Sequence, residues 1–465
     1  MRAKARISTA TGAVNGQGIE EADRRFAGGD AAAGLCRAVP AATQALLRDA
    51  ETERALREVA KPVITAAGLS SSQIRILLLE DDRMNAFVLN SRTIVIHTGL
   101  LLKMTRPEML QGVLAHEAAH IANGHLTRRP INAQNARTAA MVGLALGALV
   151  MTRSPEIGSA IMMGTQSSAQ RVFLSHTRAE EASADQSGLR YMSSAGVDPT
   201  AMIDVLEIFS GQEALSSAHQ DLYVRTHPLS RDRLRAARSY AAAASGAIRE
   251  TNANTVYWYT RARAKLSAYL RNPSWTLRRI EASDTSDAAL VARAVAHHQA
   301  HQTGQALAAA EQLIAKRPED AYARELKGWI LLESRQFEAA AEAYGEATSL
   351  APDEPLFLSS YGRALLATDT PQSNITALAV LEKSRARDSL NPGVLRDLGL
   401  AYARAGNNGM ASVVTAERYA LSGQLQDAAL HAKRASGLLP HGSPGWRRAQ
   451  DVMFAAKTQN KRKTR

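Results

Sequence analysis

A 34-residue recurrence does most to limit what this chain can fold into. Pro318 and Pro352 stand 34 residues apart, and so do Gly328 and Gly362. That period belongs to tetratricopeptide helix pairs, whose stacking buries a core that no single pair could bury alone. In the unit 321–354, Gly328, Leu331, Ala340, Tyr344, Ala347 and Pro352 occupy the small and large packing positions of the repeat. In the unit 409–442, Ala416, Tyr419, Ala428, Ala435 and Pro440 do the same. Pro392 follows Pro352 by 40 residues, which predicts an insertion near residues 368–374. About four units fit between Asp287 and Gly442, enough for a solenoid with a concave groove for protein segments. Such an array binds but has no reaction of its own.

The chemistry lies upstream, where Leu114, Ala115, His116, Glu117, Ala118, Ala119 and His120 spell H-E-x-x-H in an apolar run. Met109, Leu110, Val113, Leu114 and Ile121 recur at helical spacing, Pro107 suits a first turn, and Gly124 suits an end. Residues four apart share a helical face, so His116 and His120 can hold one metal ion, and zinc suits that pair. Glu117 is then beside the water that the metal makes acidic and can act as general base. A catalytic zinc takes three protein ligands, and Glu181 is the candidate third. Asp185 lies one turn further on the same face, where it can hydrogen-bond the free nitrogen of a ligand histidine. Glu180, turned by about 100° on the same helix, is the competing choice. His125, about 500° past His120, is off the ligand face and reads as structural or as a partner of a ligand. His97 and His176 read as ordinary polar residues.

Asn85-Ala86-Phe87, Thr98-Gly99-Leu100-Leu101, the His116–His120 motif, Arg178-x-x-Glu181-x-x-Ala184-Asp185-x-x-Gly188 and His227-Pro228 follow one another in this order. Through them the chain from about Asp49 to Arg238 resembles the BepA/HtpX-type zinc metallopeptidases, relatives of the CaaX prenyl protease. The repeats that follow make it most similar to the soluble periplasmic branch. The resemblance implies one Zn2+ per chain on His116, His120 and Glu181, with Glu117 as base and Asp185 behind a ligand. His227 resembles a histidine that approaches the metal in this branch, either to stabilise the oxyanion or to close the open coordination position. The resemblance also implies a periplasmic peptidase of misfolded or misassembled outer-membrane proteins, its repeats contacting substrates or the outer-membrane assembly machinery. The alternative is a chaperone-like binding module with a latent zinc site plugged by His227.

Aromatic residues are only 5% of the chain and alanine is abundant, which favours packed helices over a large sheet. The expected fold is α+β and mainly helical: a mobile segment over 1–40, then a zincin-like metalloprotease domain with a small β-sheet over 41–245. A linker helix region over 246–286, an all-α tetratricopeptide-repeat solenoid over 287–442 and a basic tail over 443–465 complete it. Within the peptidase domain, a helix is expected over 40–67 and strands over 74–79 and 93–97, of which an edge strand would align an extended substrate. Apolar segments at 139–151 and 157–164 are shorter than the ~20 residues of a bilayer span and read as a helical hairpin beside the site. On the linker helix, Tyr257, Trp258 and Tyr259 are expected to anchor, with the arginines Arg261 and Arg263 in water. A charge of +12 suits anionic surfaces such as lipid headgroups. The charge is scattered and no nucleic-acid-binding signature accompanies it, so nucleic acid is not an expected partner. The lone Cys36 excludes an internal disulfide. Met1 to Gly28 holds no apolar run of the ~7–15 residues that an export signal carries, a departure from exported relatives.

Overall fold

In the computed structural model, the described residues are 45–125, 178–212, 220–227, 231–243 and 249–463. The expected mobile segment, the hairpin at 139–164, Cys36 and His176 fall outside them. Helices dominate, with one small sheet, as the composition implies.

Asp49 starts helix α1 (Ala50–Ala66) by accepting the Thr52 N–H at 2.8 Å. This cap starts the helix later than expected, so Leu46 and Leu47 join strand β1 (Ala45–Leu47) instead. β1 pairs antiparallel with β2 (Arg75–Glu80), β2 runs parallel to β4 (Thr93–His97), and β4 pairs antiparallel with β3 (Ala86–Asn90). The order β1-β2-β4-β3 makes β3 an edge strand, absent from the sequence expectation because Asn85 and Asn90 bound it like turn residues. Leu77, Leu79, Phe87, Leu89 and Val95 cluster on one face of the sheet, while Ile76, Leu78, Ala86, Ile94 and Ile96 join the main core. Helix α2 (Thr98–Lys103) follows β4 directly, and a Cβ at Gly99 would fall on the Asp82 carbonyl, so only glycine fits that junction.

Helix α3 (Pro107–Ala122) is buried from Pro107 to His120 because α1, β3, α4 (Arg178–Ser194) and α5 (Thr200–Ile208) surround it. Close approach is built in. A Cβ at Gly188 would lie 3.2 Å from His116 N, and one at Gly112 would lie 3.3 Å from Met202 Cα. Helices α6 (Leu222–Thr226) and α7 (Arg231–Ala243) close this unit.

Helix α8 (Ala253–Leu270), followed by the short α9 (Pro273–Leu277), is no solvated linker. It packs along α1 and the first array helix, and it buries Arg261 and Lys265 to 1% and 2% exposure. Lys265 Nζ stands 2.6 Å from Asp49 Oδ1, 3.3 Å from Glu51 Oε2 and 3.4 Å from Glu325 Oε2. Arg261 pairs with Glu51 and Asp320. The expectation of cations in water fails because helices cover both faces of α8, and each buried cation is kept by several carboxylates.

The array comprises α10 (Asp287–Gln299), α11 (Thr303–Lys316), α12 (Ala321–Glu333), α13 (Phe337–Leu350), α14 (Pro355–Thr368), α15 (Pro371–Arg387), α16 (Pro392–Arg404), α17 (Asn408–Leu421), α18 (Leu425–Leu438) and α19 (Pro444–Lys463). A Cβ at Gly328 would sit 3.0 Å from the Tyr344 ring, which is why the repeat keeps glycine there. The expected insertion is absorbed by lengthening α15 to 17 residues, against 14 in α13. Tight left-handed turns at Gly406 and Gly423 flank α17, so the simple alternation of the earlier pairs breaks there. Residues 444–463 form a helix rather than a tail, with Ala449, Val452 and Ala456 buried against α17 and α18. Part of the array is covered by its own chain: Ala50 packs on Ala321, Ala347, Leu356 and Phe357, and Arg48 pairs with Asp388 at 2.7 Å.

Burial pushes the Glu325 carboxyl up to about 7, with Asp49 and Glu51 adding to the rise against the pull of Lys265. A carboxyl raised above its unfolded value of 4.5 contributes stability that is full below that value and is lost as pH rises through about 7. Glu325→Gln, which cannot ionise, is therefore expected to flatten the fall in thermal stability between pH 6 and pH 8. Melting curves of the two proteins across that interval check it.

Candidate active site

Two helices and one turn bring the site together. On α3, His116 and His120 project from one face, with Nε2 atoms 3.0 Å apart. Across from them α4 presents Glu181, fully buried, with Oε2 3.3 Å from His116 Nε2 and Oε1 3.5 Å from His120 Nε2. Glu180 is half-buried and stands outside this group. The turn after α6 delivers His227, whose Nδ1 lies 3.2 Å from both Glu181 oxygens and 3.3 Å from His116 Nε2. His116, His120, Glu181 and His227 each offer one ligand atom, all within 4.8 Å of one another and all buried. Such a convergence of imidazoles and a carboxylate can hold a cation.

Each member is braced from behind. Asp185 Oδ1 lies 2.9 Å from His116 Nδ1, as one turn of α4 beyond Glu181 dictates. His125 Nδ1 is 2.8 Å from His120 Nδ1, so a ring off the ligand face still reaches the far nitrogen of a ligand-face histidine. The Thr226 hydroxyl donates to Asn85 Oδ1 at 3.1 Å, which ties the His227 turn to the head of β3. His227 Nε2 lies 3.1 Å from the Ala86 carbonyl oxygen. His97 is elsewhere: it is buried at the end of β4, 3.4 Å from Asp81, and burial lowers it to about 4.

Arg233 is not singled out by the sequence, where Arg231, Arg235 and Arg238 stand close by. In the fold it is 5% exposed, donates from Nε and Nη2 to Asp185 at 2.5 and 2.8 Å, and pairs with Glu181 at 3.0 Å. A signal was present. Arg233, Ala237 and Ala241 lie four apart and are the buried stripe of α7, and two carboxylates on one buried helix face require a cation.

The electrostatics follow from this crowding. Burial pushes the Glu117 carboxyl up, against the pull of His227, His116 and the Val88 backbone N–H. Burial would raise Glu181 too, but His227 and His116 hold it well below the usual range. Burial opposes charge on His116, yet Asp185 and Glu181 prevail and raise it to about 10. Asp185 is lowered although burial works the other way, chiefly by Arg233.

An H-E-x-x-H helix faced by a carboxylate helix is the framework of a peptidase, and residues 50–241 match the Peptidase family M48 model. Residues 291–355 and 326–378 match the tetratricopeptide repeat. The chain thus carries an M48 peptidase domain followed by tetratricopeptide repeats. It is 26% identical to the beta-barrel assembly-enhancing protease of Escherichia coli over 406 residues, 86% of this chain and 81% of that protein. The protein of the same name from Yersinia pestis is 33% identical over 165 residues, 35% of this chain and 34% of its own length. Protease HtpX of Shewanella denitrificans is 39% identical over 80 residues, 16% of this chain and 27% of that protein.

Proposed function

We propose that the chain is a zinc-dependent endopeptidase that hydrolyses misfolded or misassembled outer-membrane proteins in the periplasm. In this reading His116, His120 and Glu181 hold the metal, Glu117 is the general base, and Asp185 orients His116. The carrying observation is the convergence of buried ligand atoms beside the buried Glu117 carboxyl. Zinc fits the donor set, because borderline imidazoles and one carboxylate, with a carboxylate behind the first imidazole, are its usual surroundings. Bound there, zinc would supply Lewis-acid polarisation of the scissile carbonyl and acidify the attacking water. Glu117 takes the proton from that water and returns it to the leaving amine. Ala86 and Val88 lie in the pairs of β3 whose main-chain groups point away from β4, since His97 N–H donates to Asn85 O in the adjacent pair. An extended substrate strand pairing with this edge gains backbone hydrogen bonds whatever its sequence, which suits unfolded substrates.

Compartment and substrate class follow from likeness to relatives named for β-barrel assembly, and contact of the repeats with the assembly machinery is part of the same proposal. No helix among the described residues is long and apolar enough to cross a membrane. Asp185→Ala is expected to weaken zinc binding about 10–100-fold. Competition with a chromogenic chelator measures it, with circular dichroism as the check on fold.

One observation favours a second, latent state. His227 Nδ1 lies among the ligand atoms while its Nε2 lies at the Ala86 carbonyl, so a single ring covers both the fourth ligand position and the substrate edge. His227→Ala is then expected to cleave unfolded protein several-fold faster than wild type. A loss of cleavage at unchanged zinc content would instead make His227 a stabiliser of the oxyanion.

A further inference from the structure

Helix α18 carries an apolar and basic face that the other described residues leave uncovered. Its core side is ordinary: Leu425, Ala428, Ala432 and Ala435 are buried against α17 and α19. On the other side Leu430 and Leu438 are 67% and 52% exposed, and two turns separate them. Lys433 and Arg434 lie between them and form no ion pair among the described residues. Together with Gly437 and Asn408 at the start of α17, these four side chains line an open groove of about 600 Å³. Gly437 has nothing within 4 Å of where a Cβ would stand, so the groove floor is unobstructed.

We infer that this groove docks an acidic, leucine-type apolar segment of another protein, two apolar side chains meeting Leu430 and Leu438 and carboxylates meeting Lys433 and Arg434. The choice of occupant rests on charge. Lys433 and Arg434 line the groove and no carboxylate does, so the site favours an anionic partner. By charge the stretches 1–44 and 126–177 of the chain do not suit it, with six basic against four acidic residues and five against one. A second copy of α18 would bring like charges face to face. Exposed leucines framed by unpaired cations pay no desolvation of a salt bridge on binding, and burying both leucines supplies the apolar contribution. The inference rests on the reading of the repeats as a protein-binding module, and it is independent of the zinc chemistry.

The test uses the full chain carrying Glu117→Gln, so that peptides are not consumed. Fluorescence anisotropy is read with three labelled twelve-residue peptides: one of Glu and Leu, one of Lys and Leu, and one of Glu and Ser. The Glu/Leu peptide is expected to bind in a salt-dependent manner, at least about tenfold tighter than the other two. Lys433→Glu with Arg434→Glu should weaken it by about tenfold or more and shift preference toward the Lys/Leu peptide. Leu430→Ser with Leu438→Ser should weaken it about tenfold, with an unchanged melting curve. Equal binding of all three peptides, or binding unmoved by the charge reversal, overturns the inference. So does binding of phosphatidylglycerol vesicles through Lys433 and Arg434 with no binding of the Glu/Leu peptide, or concentration-dependent dimerisation in sedimentation that the leucine variant abolishes. Casein cleavage by the chain with Glu117 intact, followed separately, decides the peptidase reading whatever the peptides do.

Discussion

Glu117→Gln is expected to lower peptide hydrolysis by about 10²- to 10⁴-fold while leaving fold and zinc content as they are. The side chain is fully buried, so the nearly isosteric amide neither opens a cavity nor alters packing on α3. Its Oε1 lies 3.4 Å from His227 Nε2. What the change removes is the ability to accept and return a proton. Zinc content by atomic emission and cleavage of unfolded protein, measured on one preparation, test this together. A variant that keeps zinc and loses cleavage supports the peptidase. A variant that keeps both activity and zinc sinks Glu117 as the base. Wild-type protein that binds zinc and unfolded protein but cleaves nothing, with His227→Ala equally inert, transfers the function to the repeats.

The second large effect is expected far from the chemistry. Lys265→Met should cost about 3–5 kcal/mol of stability, because it strands buried carboxylates without their cation. Lys265 is shared by Asp49 and Glu51 of the peptidase unit and Glu325 of the array. Methionine fills the stem's volume, so the loss reports charge rather than a cavity. Arg235→Ala, which breaks a pair whose side chains are 75% and 86% exposed, should be nearly silent. Urea unfolding of the three proteins separates these outcomes. The Lys265 variant should also become sensitive to limited proteolysis where α1 meets α12, since this cluster and the Ala50–Phe357 contact hold the two units together.

Much of the site was legible because its parts lie within single helices. His116 and His120 are one turn apart, as are Glu181 and Asp185, and the helical repeat places each pair on one face before any tertiary contact is considered. The same holds for the array: Gly328 and Gly362 stand at positions where a second helix crosses closely, and the 34-residue period records that crossing directly. Strand β3 was not legible, since Asn85 and Asn90 are turn residues by chemistry and become strand ends only because β4 lies alongside. The closing helix α19 hid behind its charge, although its buried Ala449, Val452 and Ala456 recur at spacings of three and four.

The buried cations draw the line between sequence and fold. Arg233, Arg261 and Lys265 stand in arginine- and lysine-rich stretches where neighbours such as Arg235 and Arg271 remain in water. By itself the sequence determined the zinc-motif helix, the shared faces of His116 with His120 and of Glu181 with Asp185, and the repeat period, because the faces depend on residues one turn apart and the period is written along the chain. Only the tertiary structure decided which charges are buried and what each one holds: Arg233 beneath Asp185 and Glu181, Lys265 between peptidase and repeats. Burial of a charge depends on what packs over it from distant parts of the chain, and the free energy that makes it tolerable comes from partners that only the assembled fold supplies.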